Sequence, residues 1–385
     1  MIHGLPGACH VVGLCLGAVL LGCTQYSSFR TKTQSMQALF YTKHGAPDVL
    51  CFGEQPEPTL GAGDVLIRTQ AAAVNRLDIV QRNGWFTLPG FSLPHIAGMD
   101  MAGVVVAVGD EVKSAKAGDR VVVDPSLHAV GSASKFAGLG HRYGELGVIG
   151  ATQPGGYGEF CAVSADHVHL IPAAMPFATA AVFPTSWMTT HHALFNVGGL
   201  QAGETLLVHG ATSALSMAAI QLARSAGARV LVTAASTEKC AVAQTLGATA
   251  TSVNRDTDIS AWALQQTGGN GVNMVLDHVG PALWEASLFA LATQGRLVTC
   301  GNTTGDTATI PSLGFVFQRG IQIRGSDAYF STDFNKVWQQ YCEGIGDGSF
   351  DPAIYRHYPI AEGALAQDAL ESGEAMGRLV LHHGD

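Results

Sequence analysis

The sequence predicts an α/β protein in which a β-rich region precedes a doubly wound parallel sheet. Three observations carry this prediction. Between residues 36 and 172, short Val/Ile/Leu runs alternate with Gly-Asp and Pro-Gly turns, which is typical of β-strands. From about residue 173, strand-like and helix-like segments alternate, joined by short Gly-rich loops. Hydrophobic residues make up 47% of the 385 positions and charged residues only 13%, so the chain can bury a large core.

The β-rich region contains short apolar runs that are typical of strands. We predict strands over residues 65–69, 103–108 and 120–123, with residues 110–119 as a polar connector between the last two. The helix-favouring, Ala-rich stretch over residues 173–197 then marks the change to a different architecture.

The second region alternates regularly between the two kinds of element. Predicted strands and helices follow one another over residues 204–209, 215–226, 229–233, 237–246, 274–277, 282–291 and 295–300. Right-handed crossovers place the loops that follow the strands at one edge of the sheet. After residue 325 the alternation fades, and we predict a helix over 334–343, a linker at Asp351-Pro352 and a last strand over 377–382.

Residues 1–35 differ from the rest of the chain. Residues 11–22 form an apolar run that is too short to span a bilayer, and Cys23 follows it as in a lipoprotein cleavage site. Residues 1–10 contain no Lys or Arg, which disfavours a secretory signal. We expect an inert extension or a mis-assigned start, with Met36 as the initiator, no membrane span and a cytoplasmic location. The alternative is an exported or lipid-anchored protein.

Charge and cysteine content narrow the classes of partner. The net charge is −9 without a basic block, which argues against nucleic acid and leaves a small-molecule substrate. None of the eight cysteines belongs to a Cys-x-x-Cys pair, so we expect buried free thiols in a reducing compartment.

Residues 209–216 (HGATSALS) lie between a predicted buried strand and an amphipathic helix. The free N–H groups at such a helix start bind the pyrophosphate of a dinucleotide, and small side chains let the backbone approach it. The loop is poor in glycine, since Ala214 and Ser216 stand where glycines are commoner. The predicted cofactor-binding residues are Gly210, Ala211, Ser213, Ala214 and Leu215, and, after later strands at the same edge, Val279 and Asn302.

The end of the second strand of this region bears on the choice of cofactor. An NAD enzyme usually has an acidic residue there, but this chain has Ala234 and Ala235, followed by Ser236 and Lys239. A hydroxyl and an ammonium group favour the 2′-phosphate of NADP. Glu238 is expected to lie one helical step away. Alternatively, Lys239 is only a surface lysine.

Five segments carry a resemblance to a known family: residues 73–78 (AVNRLD), 98–109 (GMDMAGVVVAVG), 118–121 (GDRV), 155–160 (GGYGEF) and 377–381 (GRLVL). With them, residues 36–385 resemble the medium-chain dehydrogenase/reductase superfamily. The resemblance implies a GroES-like catalytic domain over 36–172, a Rossmann NADP-binding domain over 173–324, and a return to the catalytic domain over 325–385. It also implies a homodimer.

The chain departs from the zinc alcohol dehydrogenases of this superfamily at the metal positions. The positions that match their zinc ligands hold Asn75, Met99 and Thr185, with Asp100 as the one acidic neighbour. These side chains supply neither thiolate nor imidazole, so we expect no catalytic zinc. The lobe that matches their structural zinc site, residues 124–154, has no cysteine. Four further histidines are interpreted as structural or surface residues: His128, His141, His191 and His192.

Without zinc, the resemblance shifts to the quinone oxidoreductase branch, whose members also carry Asn at the position of Asn75. The implied reaction is transfer of a hydride from NADPH to a quinone, an enone or a related carbonyl. Asn75 and Thr189, or its neighbour Thr190, are candidate hydrogen-bond donors to the acceptor. A turn-stabilising role for Asn75 and helix packing for the threonines are the alternatives.

Two further side-chain groups have open interpretations. Trp85, Phe86 and Phe91 line an acceptor pocket or fill the core of the small domain, and we favour the core. Asp78 and Arg82 are spaced for an i,i+4 ion pair on a short helix. Two other functions stay open: an alcohol or aldehyde dehydrogenase of the same superfamily, and a non-catalytic NADPH-binding redox sensor.

Overall fold

The computed structural model describes residues 34–88, 90–127, 147–255, 257–328, 331 and 333–384. All of them belong to one compact unit, residues 34–385. The expectations for residues 1–33, including Cys23, and for His128 and His141 lie outside the described residues.

The first part of the chain is β-rich, as predicted. Its elements are β1 (Ser35–Phe40), β2 (Cys51–Pro56), β3 (Asp64–Ala73), α1 (Arg76–Arg82), β4 (Asp100–Val108), β5 (Arg120–Val123), β6 (Ser126–Leu127), β7 (Gly147–Val148), β8 (Phe160–Ser164) and β9 (Val168–Leu170). Strand β3 is central, because it pairs antiparallel with both β4 and β8. Alternate residues of β3, from Val65 to Ala71, are buried, so the strand packs one face on the core.

The Ala-rich stretch that follows forms three short helices rather than one. They are α2 (Phe177–Ala181), α3 (Pro184–His191) and a π-helical segment, His192–Val197. Helix α3 is fixed by aromatic packing, since the rings of Trp187 and Tyr341 lie 4.7 Å apart in a T-shaped arrangement. This packing determines where the hydroxyl side chains of α3 lie.

The second part forms a six-stranded parallel sheet. Its elements are β10 (Thr205–His209), α4 (Ala214–Ser225), β11 (Arg229–Ala234), α5 (Thr237–Thr245), β12 (Ala250–Val253), α6 (Ile259–Gln266), β13 (Val272–Asp277), α7 (Pro281–Phe289), β14 (Leu291–Thr299), α8 (Leu313–Arg319) and β15 (Gln322–Gly325). The strand order is β12-β11-β10-β13-β14-β15. All five residues of β10 are buried, as expected of a strand covered on both faces. The predicted strands and helices are confirmed, with some ends shifted by a few residues, but β12, α6, α8 and β15 were not predicted.

The last part of the chain returns to the first sheet. Its elements are α9 (Phe334–Asp347), β16 (Ile354–Pro359), α10 (Gly363–Glu371) and β17 (Arg378–His382). Strand β17 pairs antiparallel with β3, with Val380 opposite Ala73, and parallel with β16. Because of this return, Arg378 lies beside the start of α1.

Two general expectations can be compared with the described residues. None of their helices is long and apolar enough to cross a membrane. The five cysteines among them are free thiols, but Cys51 is exposed, so the expectation that the thiols are buried is wrong for that residue.

Candidate active site

Asn75 caps the start of helix α1, and its buried side chain contacts Arg378 near the end of the chain. The Asn75 carboxamide oxygen accepts a hydrogen bond from Arg378 Nη1 at 3.2 Å, and its Nδ2 donates to the Ala73 carbonyl at 3.4 Å. The Asn75 backbone N–H donates to Asp78 Oδ2 at 2.8 Å. The backbone of Asn75 thus stabilises the turn before α1, as one of the two interpretations predicts, while its side-chain amide lies in the candidate site. The two roles are compatible.

Asp100 is the centre of a buried polar cluster. Thr185 donates to Asp100 Oδ1 from its backbone N–H, at 2.9 Å, and from its hydroxyl, at 2.6 Å. Arg378 forms an ion pair with Asp100 Oδ2 at 3.2 Å, and both side chains are almost fully buried. Burial raises the pKa of the Asp100 carboxyl, while Arg378 and Thr185 oppose that rise.

The donor set at these positions does not fit a catalytic zinc ion. The side chain of Met99 packs in an apolar cluster with Leu88 and Val148. The Thr185 hydroxyl is committed to Asp100, and the guanidinium of Arg378 already neutralises that carboxylate. A divalent cation there would lie beside a fixed positive charge and would lack thiolate and imidazole ligands. Among the described residues, no group of three or more His, Cys, Asp or Glu side chains is placed to hold a metal.

Asp78 is a second buried carboxyl in this region. It accepts hydrogen bonds from the N–H groups of Asn75 and Gly98, at 2.8 and 3.3 Å, and from the Tyr157 hydroxyl at 3.1 Å. Burial raises its pKa to about 7, although these hydrogen bonds act in the opposite direction. Among the described residues, no ion pair to Asp78 offsets the loss of hydration, which explains the large rise in its pKa.

The predicted ion pair between Asp78 and Arg82 is wrong. Arg82 forms its ion pair with Glu371 of α10, at 2.6 Å, and also donates to Gln367. The reason is that Asp78 turns back to cap the start of α1, while Arg82 faces the neighbouring helix. Local spacing alone does not show either partner.

A small, partly open cleft lies next to the Asp100 cluster and shares Thr185 with it. Its polar lining comes from Asp124, Ser126, Thr185, Thr189 and Ser331. Of the two threonines considered, Thr189 lines the cleft. Thr190 is fully buried, and its hydroxyl donates to the Leu215 carbonyl at 3.2 Å.

The aromatic residues of the small domain are placed differently from the prediction. Trp85 is 64% and Phe86 47% exposed, so the expectation that they fill the core is wrong. Phe91 packs on Tyr41 and His95, with its ring centroid 4.8 Å from that of His95. The described lining of the cleft includes none of the three predicted aromatic residues.

The loop between β10 and α4 has the geometry of an anion-binding turn. Gly210 adopts a φ of 73°, and the N–H groups of Gly210 and Ala211 both donate to the Thr233 carbonyl. Ser213 caps α4, because its hydroxyl oxygen accepts from the Ser216 N–H. Among the described residues, the N–H groups of Ala214 and Leu215 have no acceptor, which leaves them free for an anion at the helix start. The five predicted loop residues thus divide into three that shape the loop and two that present donors.

The start of α5 carries charges of both signs. Ser236 caps the helix by accepting from the Lys239 N–H, and Lys239 Nζ donates to the Gly373 carbonyl at 2.6 Å. Hydrogen bonds from the Ser236 and Thr237 hydroxyls lower the pKa of Glu238. Glu238 thus lies in the first turn of α5, beside the Ser236 cap, and its expected separation from a 2′-phosphate stays a prediction.

Val279 and Asn302 follow β13 and β14 at the same edge of the sheet. The Val279 N–H donates to Asp277 Oδ1 at 3.1 Å, and Asn302 Nδ2 donates to Asp306 Oδ1 at 2.8 Å. His278 precedes Val279 and contacts the loop before α4, but it was not among the predicted site residues. Its position directly after a buried strand was the available signal.

Two comparisons with protein families cover most of the described fold. Residues 61–173 match the family described as alcohol dehydrogenase GroES-like domain, and residues 214–343 match the family described as zinc-binding dehydrogenase. Quinone oxidoreductase 1 of Escherichia coli (strain K12) is 28% identical over 348 residues, which are 89% of this chain and 98% of that protein. A quinone oxidoreductase of Pseudomonas aeruginosa is 28% identical over 347 residues, with the same coverage.

Solved structures are similar over nearly the whole chain. A structure of an NAD-dependent alcohol dehydrogenase has a TM-score of 0.82 and 30% identity, and covers 91% of this chain and 100% of its own. The Escherichia coli quinone oxidoreductase complexed with NADPH has a TM-score of 0.77 and 26% identity, and covers 90% of this chain and 99% of its own. These neighbours confirm the predicted fold class.

Proposed function

The chain belongs to the medium-chain dehydrogenase/reductase superfamily and is an oxidoreductase, and we propose that it transfers a hydride from NADPH to a quinone, an enone or a related carbonyl without a metal. The observation that carries the proposal is the buried cluster of Asn75, Asp100, Thr185 and Arg378. These side chains bind one another at the place where the resemblance puts zinc ligands. Activation of the acceptor then rests on hydrogen-bond donors.

The proposed cofactor site lies along the carboxyl ends of the parallel strands. The free N–H groups of Ala214 and Leu215 bind the pyrophosphate, on a loop shaped by Gly210, Ala211 and Ser213. Val279 and Asn302 continue the same edge. NADPH, when bound, supplies the hydride, and the protein holds it beside the cleft.

The preference for NADPH rests on Ser236 and Lys239. In the part of the chain that the structure describes, the Lys239 ammonium group donates to a neutral carbonyl, that of Gly373, and forms no ion pair, so it can pair with a 2′-phosphate. The nearby Glu238 carboxylate opposes this preference. We therefore propose a preference for NADPH over NADH, in which the favourable charge of Lys239 outweighs the unfavourable charge of Glu238.

Asn75 and Thr189 are the proposed donors to the acceptor. The contact of the Asn75 carboxamide oxygen with Arg378 fixes the orientation of the amide, and the Nδ2 hydrogen bond to Ala73 is long at 3.4 Å. The Thr189 side chain lines the cleft. A conjugated acceptor suits such neutral donors because it spreads the developing negative charge over several atoms.

The test measures the metal content of the protein and then screens acceptors for oxidation of NADPH. After exhaustive chelation, we expect turnover with quinones or enones, measured as loss of NADPH absorbance. Loss of activity on chelation, with recovery on addition of zinc, would contradict the metal-free reaction. Heat-treated protein and acceptor without protein are the controls.

A second candidate function is an alcohol or aldehyde dehydrogenase. The Glu238 carboxylate, four residues after the end of β11, favours it, because an acidic residue near that strand end suits NAD. The neighbouring structure with 30% identity is described as an NAD-dependent alcohol dehydrogenase. Turnover of alcohols with NAD, and none of quinones with NADPH, would select this function.

We also propose that the protein forms a homodimer through the edge of its parallel sheet. Strand β15 pairs only with β14 among the described strands, and beside it Leu313 is 70% and Phe317 73% exposed. A second copy would cover both the strand edge and this apolar surface. Light scattering should give the mass of a dimer for the wild type and a lower mass for the Phe317→Glu variant. A monomeric wild type would refute the proposal.

For the N-terminal segment we propose an inert extension of a cytoplasmic protein. N-terminal sequencing and mass measurement of the protein from its native host test this. A lipid-modified Cys23 would instead establish the anchored alternative.

A further inference from the structure

A buried imidazole lies beneath the phosphate-binding loop, and the proposed reaction does not use it. His278 directly follows β13 and is 8% exposed. Its Nε2 lies 2.9 Å from the carbonyl oxygen of His209, the last residue of β10. Because a carbonyl oxygen only accepts, this nitrogen carries the proton and donates.

The same N–H group also faces two serine hydroxyls of the loop. His278 Nε2 is 3.2 Å from Ser213 Oγ and 3.1 Å from Ser216 Oγ. Ser213 donates to Ser216 at 2.8 Å, and Ser216 donates in turn to the His209 carbonyl at 2.6 Å. One imidazole from a neighbouring strand thus ties together the strand end, the helix cap and the first helical turn.

These contacts enclose the donors that an anion would meet. Ala214 and Leu215, whose N–H groups are free, lie between Ser213 and Ser216 in the chain. Ser216 itself is fully buried and stands where glycine is commoner in such loops. The hydroxyl therefore connects the loop to the sheet.

We propose that His278 is a positioning residue for the cofactor pyrophosphate. By holding Ser213 and Ser216, it fixes the direction of the Ala214 and Leu215 N–H groups before the cofactor arrives. Preorganised donors bind an anion more tightly, because less conformational freedom is lost on binding. This inference rests on the proposed dinucleotide-dependent function, and it assigns to His278 a role in cofactor affinity and none in hydride transfer.

The experiment measures the dissociation constant of NADPH by fluorescence titration in the full chain. His278→Ala is expected to weaken NADPH binding by about tenfold, the effect of losing one well-placed hydrogen bond. His278→Gln keeps a side-chain N–H donor and is expected to recover most of the affinity. At saturating NADPH, kcat should stay within about twofold of the wild type while KM for NADPH rises, as expected for lost uniform binding.

His95→Ala is the matched control. His95 is also a buried histidine, and its Nε2 lies 2.9 Å from the Gly150 carbonyl oxygen, outside the parallel sheet. It should lower the thermal stability without changing the dissociation constant of NADPH. Ser216→Ala removes one hydroxyl and keeps the test usable if His278→Ala does not fold; weaker NADPH binding is expected there too.

The outcomes separate this inference from the proposed function. If the wild type binds NADPH and both His278→Ala and Ser216→Ala bind it equally well, the inference fails and the proposed function stands. Equal losses in His278→Gln and His278→Ala would also overturn it, because the N–H donor would then be irrelevant. A wild type that binds neither NADPH nor NADH would overturn both.

Discussion

Asp78 provides a stability prediction with a definite sign. Its folded-state pKa of about 7 lies roughly three pH units above the ordinary aspartate value of 3.8, because the carboxyl is fully buried. The folded protein therefore binds this proton more tightly than the unfolded chain does. The resulting stabilisation is complete below pH 4 and is lost as the pH rises through 7.

The magnitude follows from the shift. Three units at 1.36 kcal/mol each give about 4 kcal/mol over the whole window, of which roughly 2 to 3 kcal/mol falls between pH 5 and 8. Asp78→Asn removes the titrating group and keeps one side-chain oxygen, which can accept from only one of the Asn75 and Gly98 N–H groups; that loss does not depend on pH. The free energy of unfolding of the wild type, minus that of Asp78→Asn, should therefore fall by this amount between pH 5 and 8.

The measurement is urea unfolding of both proteins across that pH range. Taking the difference removes the contributions of the other titrating groups. Tyr157→Phe deletes a hydrogen bond that favours the charged form, so it should move the pH-dependent range upward. A difference that stays flat from pH 5 to 8 would refute the reasoning that burial, without an ionic partner, controls this carboxyl.

The remaining predictions concern the polar cluster, the cofactor and the cleft. Arg378→Met leaves the Asp100 carboxylate buried and unpaired, so urea unfolding at pH 7 should show a loss of about 3 kcal/mol; a loss below about 1 kcal/mol would contradict the importance of the pair. Lys239→Ala should weaken NADPH binding about tenfold and leave NADH binding unchanged, whereas Glu238→Gln should strengthen NADPH binding; equal changes for both cofactors would argue against a 2′-phosphate site. Thr189→Val should lower kcat about tenfold and Thr189→Ser should restore it, and wild-type turnover in the valine variant would remove Thr189 from the reaction.

The inner strands of the parallel sheet were predictable because they are continuous apolar runs, whereas β12 and β15 are polar or partly exposed and were not predicted. The β10 sequence is buried at all five positions, and a fixed loop-to-helix pattern follows it. Strand β16 was missed because it is an edge strand with mostly exposed residues, Tyr355 to His357, which leave no periodic apolar signal. Helix α10 was missed for a related reason. It follows β16, and because that strand was not recognised, no strand–helix alternation was expected there.

The site was predictable where its residues are local and unpredictable where they are distant. Asn75 and Asp78 stand three residues apart, which is the spacing of a helix-capping pair, so this contact was available from the sequence. Arg378 meets Asn75 from 303 positions away, and no spacing rule reaches that far. The partners of Asp100 likewise depend on how β17 docks on β3.

The charge balance of the cluster limits the chemistry that the site can perform. Arg378, the buried cation that contacts Asn75, is already paired with Asp100, and the Thr185 hydroxyl is committed to the same carboxylate. Among the described residues of the cleft, no lysine or arginine lines the lumen, and its one charged side chain is the carboxylate of Asp124. An acceptor that localises a full negative charge on one oxygen would meet that carboxylate and only neutral donors. An acceptor that spreads the charge through conjugation needs less electrostatic stabilisation from the site. This is the physical reason to test quinones and enones before simple ketones.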